Sequence, residues 1–194
     1  MLFAAWPDEV GPELPDEVGR WYLCEGDEVT QSCVQERIDD LLKQQLRRLL
    51  QQRGRAARVG SRQRFGLSQS DGRVAVSPDV YVLEPEPANS TFTTWNHWEP
   101  GRYPPNLVFE VVSVSTWSKD YADAPRQYAT LGVQELVLFD PLVAMGISPA
   151  SRPASLQLWR RTTRGTLRRP TGAAGQRTAR CSTRESMSRG ASCG

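Results

Sequence analysis

Nitrogen and sulfur ligands are scarce in this chain. It holds one histidine, His97, and four cysteines, Cys24, Cys33, Cys181 and Cys193, with no CxxC pair and no Cys/His cluster at ligand spacing. Nothing in that spacing points to a thiolate or imidazole metal centre, and the cysteines read as ordinary free thiols or accidents of the tail. Long apolar runs are missing too. None approaches the roughly 18 residues that suggest a membrane helix, and the apolar opening Met1 to Trp6 lacks a basic flank and stops at Pro7-Asp-Glu9, so no signal peptide fits. The expectation is a soluble, cytoplasmic protein with no membrane partner.

Acids are nearly absent from one end. From Ser151 onward there are 10 arginines and a single acid, Glu185, which leaves 14 basic and 21 acidic residues in 1–150. An acidic body argues against a broad nucleic-acid footprint while leaving room for a local basic groove. Beyond Thr162 the only large apolar side chains are Leu167 and Met187, too little to offset the entropy of ordering the segment. Residues 161–194 therefore read as a basic disordered extension or the product of a shifted reading frame, the abrupt change of composition favouring the second. Residues 1–19, with Pro-Asp-Glu-Val-Gly at Pro7 and again at Pro15, read as an extended arm.

Between these ends, residues 20–160 have the length of one domain with a core, and the chain's 39% hydrophobic and 24% charged residues are ordinary for a globular protein. Arg20 to Cys24 suits a short strand. Val34, Ile38, Leu41, Leu42, Leu46, Leu49 and Leu50 recur on one helical face. With Ser32 and Gln35 as a capping box and Gly54 as a stop, the pattern predicts a helix over 32–53. Arg47, Arg48, Arg53, Arg55, Arg58, Arg62 and Arg64 form the densest basic region; a solvated face is the plainer reading, a phosphate-binding surface the sharper one. Asp71-Gly72 marks a hairpin between strands at 65–68 and 74–76. A long loop over 84–106 carries Trp95, His97 and Trp98, and His97, alone of its kind, reads as structural.

Two strand-like runs each enclose an acid: Ser77-Pro-Asp-Val-Tyr-Val-Leu83 with Asp79, and Leu107-Val-Phe-Glu-Val-Val-Ser113 with Glu110. Acids are depleted in strands and a buried carboxylate needs a partner, so a shared ligand, most economically a divalent metal, is one explanation. The alternative is that Asp79 merely begins a strand and Glu110 faces solvent on an edge. A helix over 123–131, with Asp123 as N-cap and Pro125 in its first turn, and a strand over 134–139 complete a βαβ unit with a parallel pair. The fold class is a mixed α/β sheet.

From Trp21 to Pro141 the chain resembles the Uma-type endonucleases of the PD-(D/E)xK nuclease superfamily, abundant in bacteria. The residues that carry the resemblance are Val76-Ser-Pro-Asp-Val-Tyr81, Pro100-Gly-Arg-Tyr-Pro-Pro105, Val108-Phe-Glu-Val-Val-Ser113, Lys119-Asp120, Tyr128-Ala-Thr-Leu-Gly-Val133 and Leu138-Phe-Asp-Pro141. The resemblance implies a restriction-endonuclease-like central sheet flanked by helices, DNA as substrate, a homodimer as one assembly, and Mg²⁺ or Mn²⁺ as cofactor. It implies Asp79 and Glu110 as metal-binding catalytic acids and the Val111 carbonyl as a further ligand; Asp120 orients the turn or a metal-bound water, or else caps the helix or pairs with Lys119 at the surface. Glu28, Gln35 and Glu36 are unranked candidates for a further polar group near the metal. The sequence departs from the pattern at its lysine. Val112 stands two residues after the strand acid, and Ala124 stands four before the helix tyrosine, leaving Arg126 and Gln127 as the nearest replacements. The function implied is Mg²⁺-dependent hydrolysis of DNA; the alternative is a degenerate nuclease fold that binds nucleic acid or protein.

Overall fold

The computed structural model describes residues 7–12, 33–88, 92–113, 117–147 and 152–170. Their framework is a seven-stranded sheet in the order β1-β10-β9-β8-β7-β5-β2, formed by β1 (Glu9–Val10), β2 (Arg58–Gly60), β5 (Val80–Leu83), β7 (Leu107–Val111), β8 (Glu135–Phe139), β9 (Leu156–Arg161) and β10 (Leu167–Arg168). The β7/β8 pair is parallel and every other pair in this sheet is antiparallel, as the expected mixed α/β class requires. A smaller sheet joins β4 (Ala75–Val76), β3 (Arg64–Gly66) and β6 (Thr94–Trp95).

Alternation along β5 sorts the two faces. Val80 and Val82 pack with Val59 under Leu42, Leu46 and Leu50 of α1 (Cys33–Gln52). Tyr81 and Leu83 point the other way, into the larger core with Val108, the small-sheet residues Phe65, Val76 and Trp95, and Tyr121, Ala124 and Tyr128 of α2 (Trp117–Leu131). Gly60 sits opposite Tyr81, and a Cβ there would collide with the buried Tyr81 phenol, so only glycine admits the close approach. The apolar face of α1 divides: Leu42, Leu46 and Leu50 turn to the sheet, whereas Val34, Leu41 and Leu49 remain exposed. On the inward line the position one turn before Lys43 is taken by Asp39, which is buried.

Two expectations are corrected by longer-range packing. The helix after β7 begins at Trp117, six residues before Asp123, so Pro125 lies inside it and Asp123 is a buried mid-helix residue. An interior proline costs a helix about 3 kcal/mol; burial of Tyr121 together with Trp117, whose ring stacks edge-on against it, offsets that cost. The helix closes at Gly132 (φ 93°), where the half-buried Arg161 guanidinium donates to the Ala129 and Val133 carbonyls. The second correction concerns the chain ends. Residues 161–170, grouped by composition with the tail, form the end of β9 and all of β10, because the single side chain of Leu167 is fully buried and β1 from the N-terminal arm pairs with β10. Residues 171–194, Glu28, Ser32 and the expected strand at 20–24 lie outside the described residues. Short α3 (Pro141–Ala144) is capped by Asp140, itself buried against Arg152 at 2.9 Å and Tyr121.

Candidate active site

Asp79 immediately precedes β5, and continuing the β5/β7 register by one residue from Val80↔Phe109 sets it opposite Glu110. Directly opposed residues of an antiparallel pair project to the same face, which brings the two carboxyls within hydrogen-bonding reach of each other. β7 lies between β5 and β8, so Glu110 is not on an edge strand. Asp79 does begin its strand, but its carboxylate is aimed inward: Oδ2 accepts the Val111 N–H at 2.7 Å.

Two helices complete the surroundings. From the first turn of α1, Gln35 Nε2 donates to Asp79 Oδ1 at 3.3 Å and to Oδ2 at 3.4 Å, and stands 3.5 Å from the Val111 carbonyl. Of the unranked polar candidates that the structure describes, Gln35 is placed at the carboxylates and Glu36 is exposed. From α2, the fully buried Tyr128 donates its phenol proton to Glu110 Oε1. Asp120, two turns earlier on the same helix, accepts the Ser113 N–H at 3.0 Å and so fixes the chain just beyond β7.

Burial and mutual repulsion set the electrostatics. Burial, and next the charge of Asp79, push the Glu110 carboxyl well above the ordinary range, with the Tyr128 hydrogen bond opposing. Burial also raises Asp79, against the Val111, Glu110 and Gln35 hydrogen bonds and the Arg62 charge. Tyr128 is itself raised, by burial and then by Glu110. Two confined acids of this kind either share a proton or take up a cation.

The donor set suits a hard divalent ion. Mg²⁺ is held by one or two carboxylates, with waters filling the other positions, and Asp79, Glu110 and the Val111 carbonyl supply oxygen donors at one place. No group of three or more Asp, Glu, His or Cys side chains able to hold a metal occurs among the described residues. Two carboxylates and one carbonyl would leave an octahedral ion much of its water.

Residues 12–180 match the sequence pattern of Uma2, described as putative restriction endonuclease. The chain belongs to the Uma2 family. No curated protein matches it by sequence. Among solved structures it is similar to a crystal structure of a putative nuclease of DUF820 from Anabaena variabilis, with 13% identity and a TM-score of 0.47. That match covers 74% of this chain and 66%, just under two thirds, of the other.

The cation that the Uma2 resemblance leads one to expect is not beside the acids at either expected position. Val112 is buried in the core, and Ala124 is buried on α2 between Asp120 and Tyr128, one turn from each. Arg126 lies on the exposed side of α2, lining a small cavity with Pro7, Glu9, Val10 and Gly11. Lys119 is exposed, and Gln127 is half-buried on the same helix. His97 packs edge-on against Trp98, with ring centroids 5.0 Å apart, over Gly66 of β3. Tyr128 and Asp39 are the residues sequence reasoning assigned no role; the turn-by-turn spacing Asp120, Ala124, Tyr128 was the available signal for the first.

Proposed function

We propose that the protein is a divalent-metal-dependent DNA endonuclease whose reaction centre is the Asp79–Glu110 pair. The reading rests on one observation above all: two acids that repel each other are brought together across β5 and β7 and held there by Val111, Gln35 and Tyr128. A fold that gained nothing from a cation would have little reason to maintain that repulsion. Membership of the Uma2 family supports the nuclease assignment.

In this reading Asp79, Glu110 and the Val111 carbonyl would hold Mg²⁺ or Mn²⁺. Bound there, such an ion would supply a water of lowered pKa and would offset charge developing on the phosphate. Val111 N–H and Gln35 hold the Asp79 carboxylate in place, Tyr128 keeps Glu110 Oε1 fixed, and Asp120 sets the path of the chain after β7. The test is calorimetric titration with Mn²⁺ beside a plasmid-nicking assay. Binding at one site, lost in Asp79→Asn together with nicking, supports the reading; nicking that survives Asp79→Asn sinks it.

A second reading is favoured by the buried Val112 and Ala124, neither of which can supply a proton. A protein that kept the metal site and the DNA surface but lost the cleavage step would bind duplex DNA in a strongly salt-dependent way without nicking it.

A further inference from the structure

This inference rests on the nuclease reading of the carboxylate pair and asks which cation meets the phosphate. The chain has only two lysines. Lys119 is exposed on α2. Lys43 is engaged by Asp40 at 2.9 Å and lies 3.3 Å from Ser61 Oγ. The arginines of the basic region mostly have structural partners: Arg47 donates to the Val59 carbonyl, Arg55 pairs with Glu84, Arg58 covers the Phe92 ring, and Arg64 donates to the Gly72 carbonyl.

Arg62 is different. It occupies the turn between β2 and β3, and its backbone N–H donates to the carbonyl of Pro78, the residue before Asp79, at 2.8 Å. Its φ is +54°, the only positive value at a non-glycine among the described residues. Such a backbone costs on the order of 1 kcal/mol or more and concentrates where a side chain must be presented in one place. Its guanidinium stands 3.9 Å from Oδ2 of the buried Asp39, one turn along α1 from Gln35, yet 45% of the side chain is open to solvent. The group is thus oriented from behind and open in front, at the edge of the site. Arginine stays charged at all working pH values and its planar fork matches phosphate oxygens.

We propose that Arg62 is the phosphate-binding residue of this site, its guanidinium meeting a non-bridging oxygen of the DNA backbone beside Asp79 while Asp39 orients it. The strained turn is maintained for that contact.

Arg62→Gly makes the inference testable, because glycine accepts the +54° backbone without strain and the variant should fold. Arg62→Lys and Arg53→Gln, an exposed arginine just past the C-terminal end of α1, serve as comparisons. Binding to a duplex of about 20 base pairs is followed by fluorescence anisotropy in Ca²⁺ over a range of salt, with Mn²⁺ calorimetry and thermal melting alongside. The expected result for Arg62→Gly is about tenfold weaker DNA binding, a salt slope reduced by about one, unchanged Mn²⁺ affinity and a retained cooperative melt. Arg62→Lys recovers part of the binding, and Arg53→Gln behaves as wild type. DNA binding and salt slope unchanged in Arg62→Gly, or lowered equally in Arg53→Gln, overturn the inference while leaving the nuclease reading intact. So does a lowered melting temperature with undiminished binding, which would mark Arg62 as a structural partner of Asp39. Wild-type protein that takes up neither Mn²⁺ nor DNA overturns the nuclease reading itself.

Discussion

Tyr128 donates its phenol proton to Oε1 of Glu110, joining the last turn of α2 to β7, the strand that carries one of the two acids proposed to bind metal. The bond favours the ionised carboxylate and opposes the effect of burial. In Tyr128→Phe the Glu110 carboxyl rises further, so the acidic limb of the cleavage profile moves to higher pH while the alkaline limb stays. Loss of one buried hydrogen bond costs about 1 kcal/mol, or about 2–4 °C in melting temperature for a chain of this size. A pH–rate profile and a melting curve check the two effects separately.

Without metal, the carboxylate pair makes stability fall as pH rises. Glu110 and Asp79 both have folded-state values above their ordinary ones. Between the ordinary value and the raised one the folded protein holds more protons than the unfolded chain, so unfolding becomes easier as pH increases through that window. Glu110→Gln removes the larger contribution and keeps an acceptor for Tyr128. Its melting temperature in EDTA exceeds that of wild type by about 3 °C or more near neutral pH, and the two converge near pH 4. Added Mn²⁺ raises wild type and leaves Glu110→Gln almost unmoved.

Gln35 offers a gain-of-affinity test. Its amide donates to both oxygens of Asp79, so Gln35→Glu replaces a donor with a third negative charge. The metal-free protein is destabilised by repulsion, by about 1–3 kcal/mol for the lost charge-assisted bond. Mn²⁺ affinity rises about tenfold from the added oxygen ligand. Denaturant melts in EDTA and calorimetry with Mn²⁺ read the opposite signs.

Ala124 occupies the α2 position between Asp120 and Tyr128, the two side chains that reach β7 and the residue just beyond it. Ala124→Lys places an amine on the same helical stripe, and general-acid assistance of this kind is worth about 10²-fold or more. The expected outcome is faster nicking at saturating Mn²⁺ with DNA affinity changed much less. A variant that folds but nicks no faster would show that proton donation does not limit the reaction.

Much of this was legible in the residues because it is local. The apolar runs around Val108 and Leu136, joined by a helical stretch ending at Gly132, define the parallel βαβ unit, and Asp79 and Glu110, each inside an apolar run, stand out against strand composition. What stayed hidden depends on distance in sequence. Gln35 reaches Asp79 across 44 positions, whereas the local pattern marks it only as a helix-capping residue. Pro125 suggests a helix start because its cost is local, whereas the packing of Tyr121 that outweighs it is tertiary. β10 is invisible for the same reason, since a two-residue strand with one buried leucine has no periodicity of its own. Arg62 is one arginine among seven until the turn that bends it toward Asp39 is seen.

The central claim is that Asp79 and Glu110 act together through a divalent ion on DNA. The most direct measurement is nicking of supercoiled plasmid by the purified full chain in Mn²⁺, compared with EDTA and with Asp79→Asn. The account predicts metal-dependent nicking by wild type and a loss of about 10²-fold or more in the variant. Intact plasmid with wild type in Mn²⁺, or equal nicking by Asp79→Asn, would contradict it.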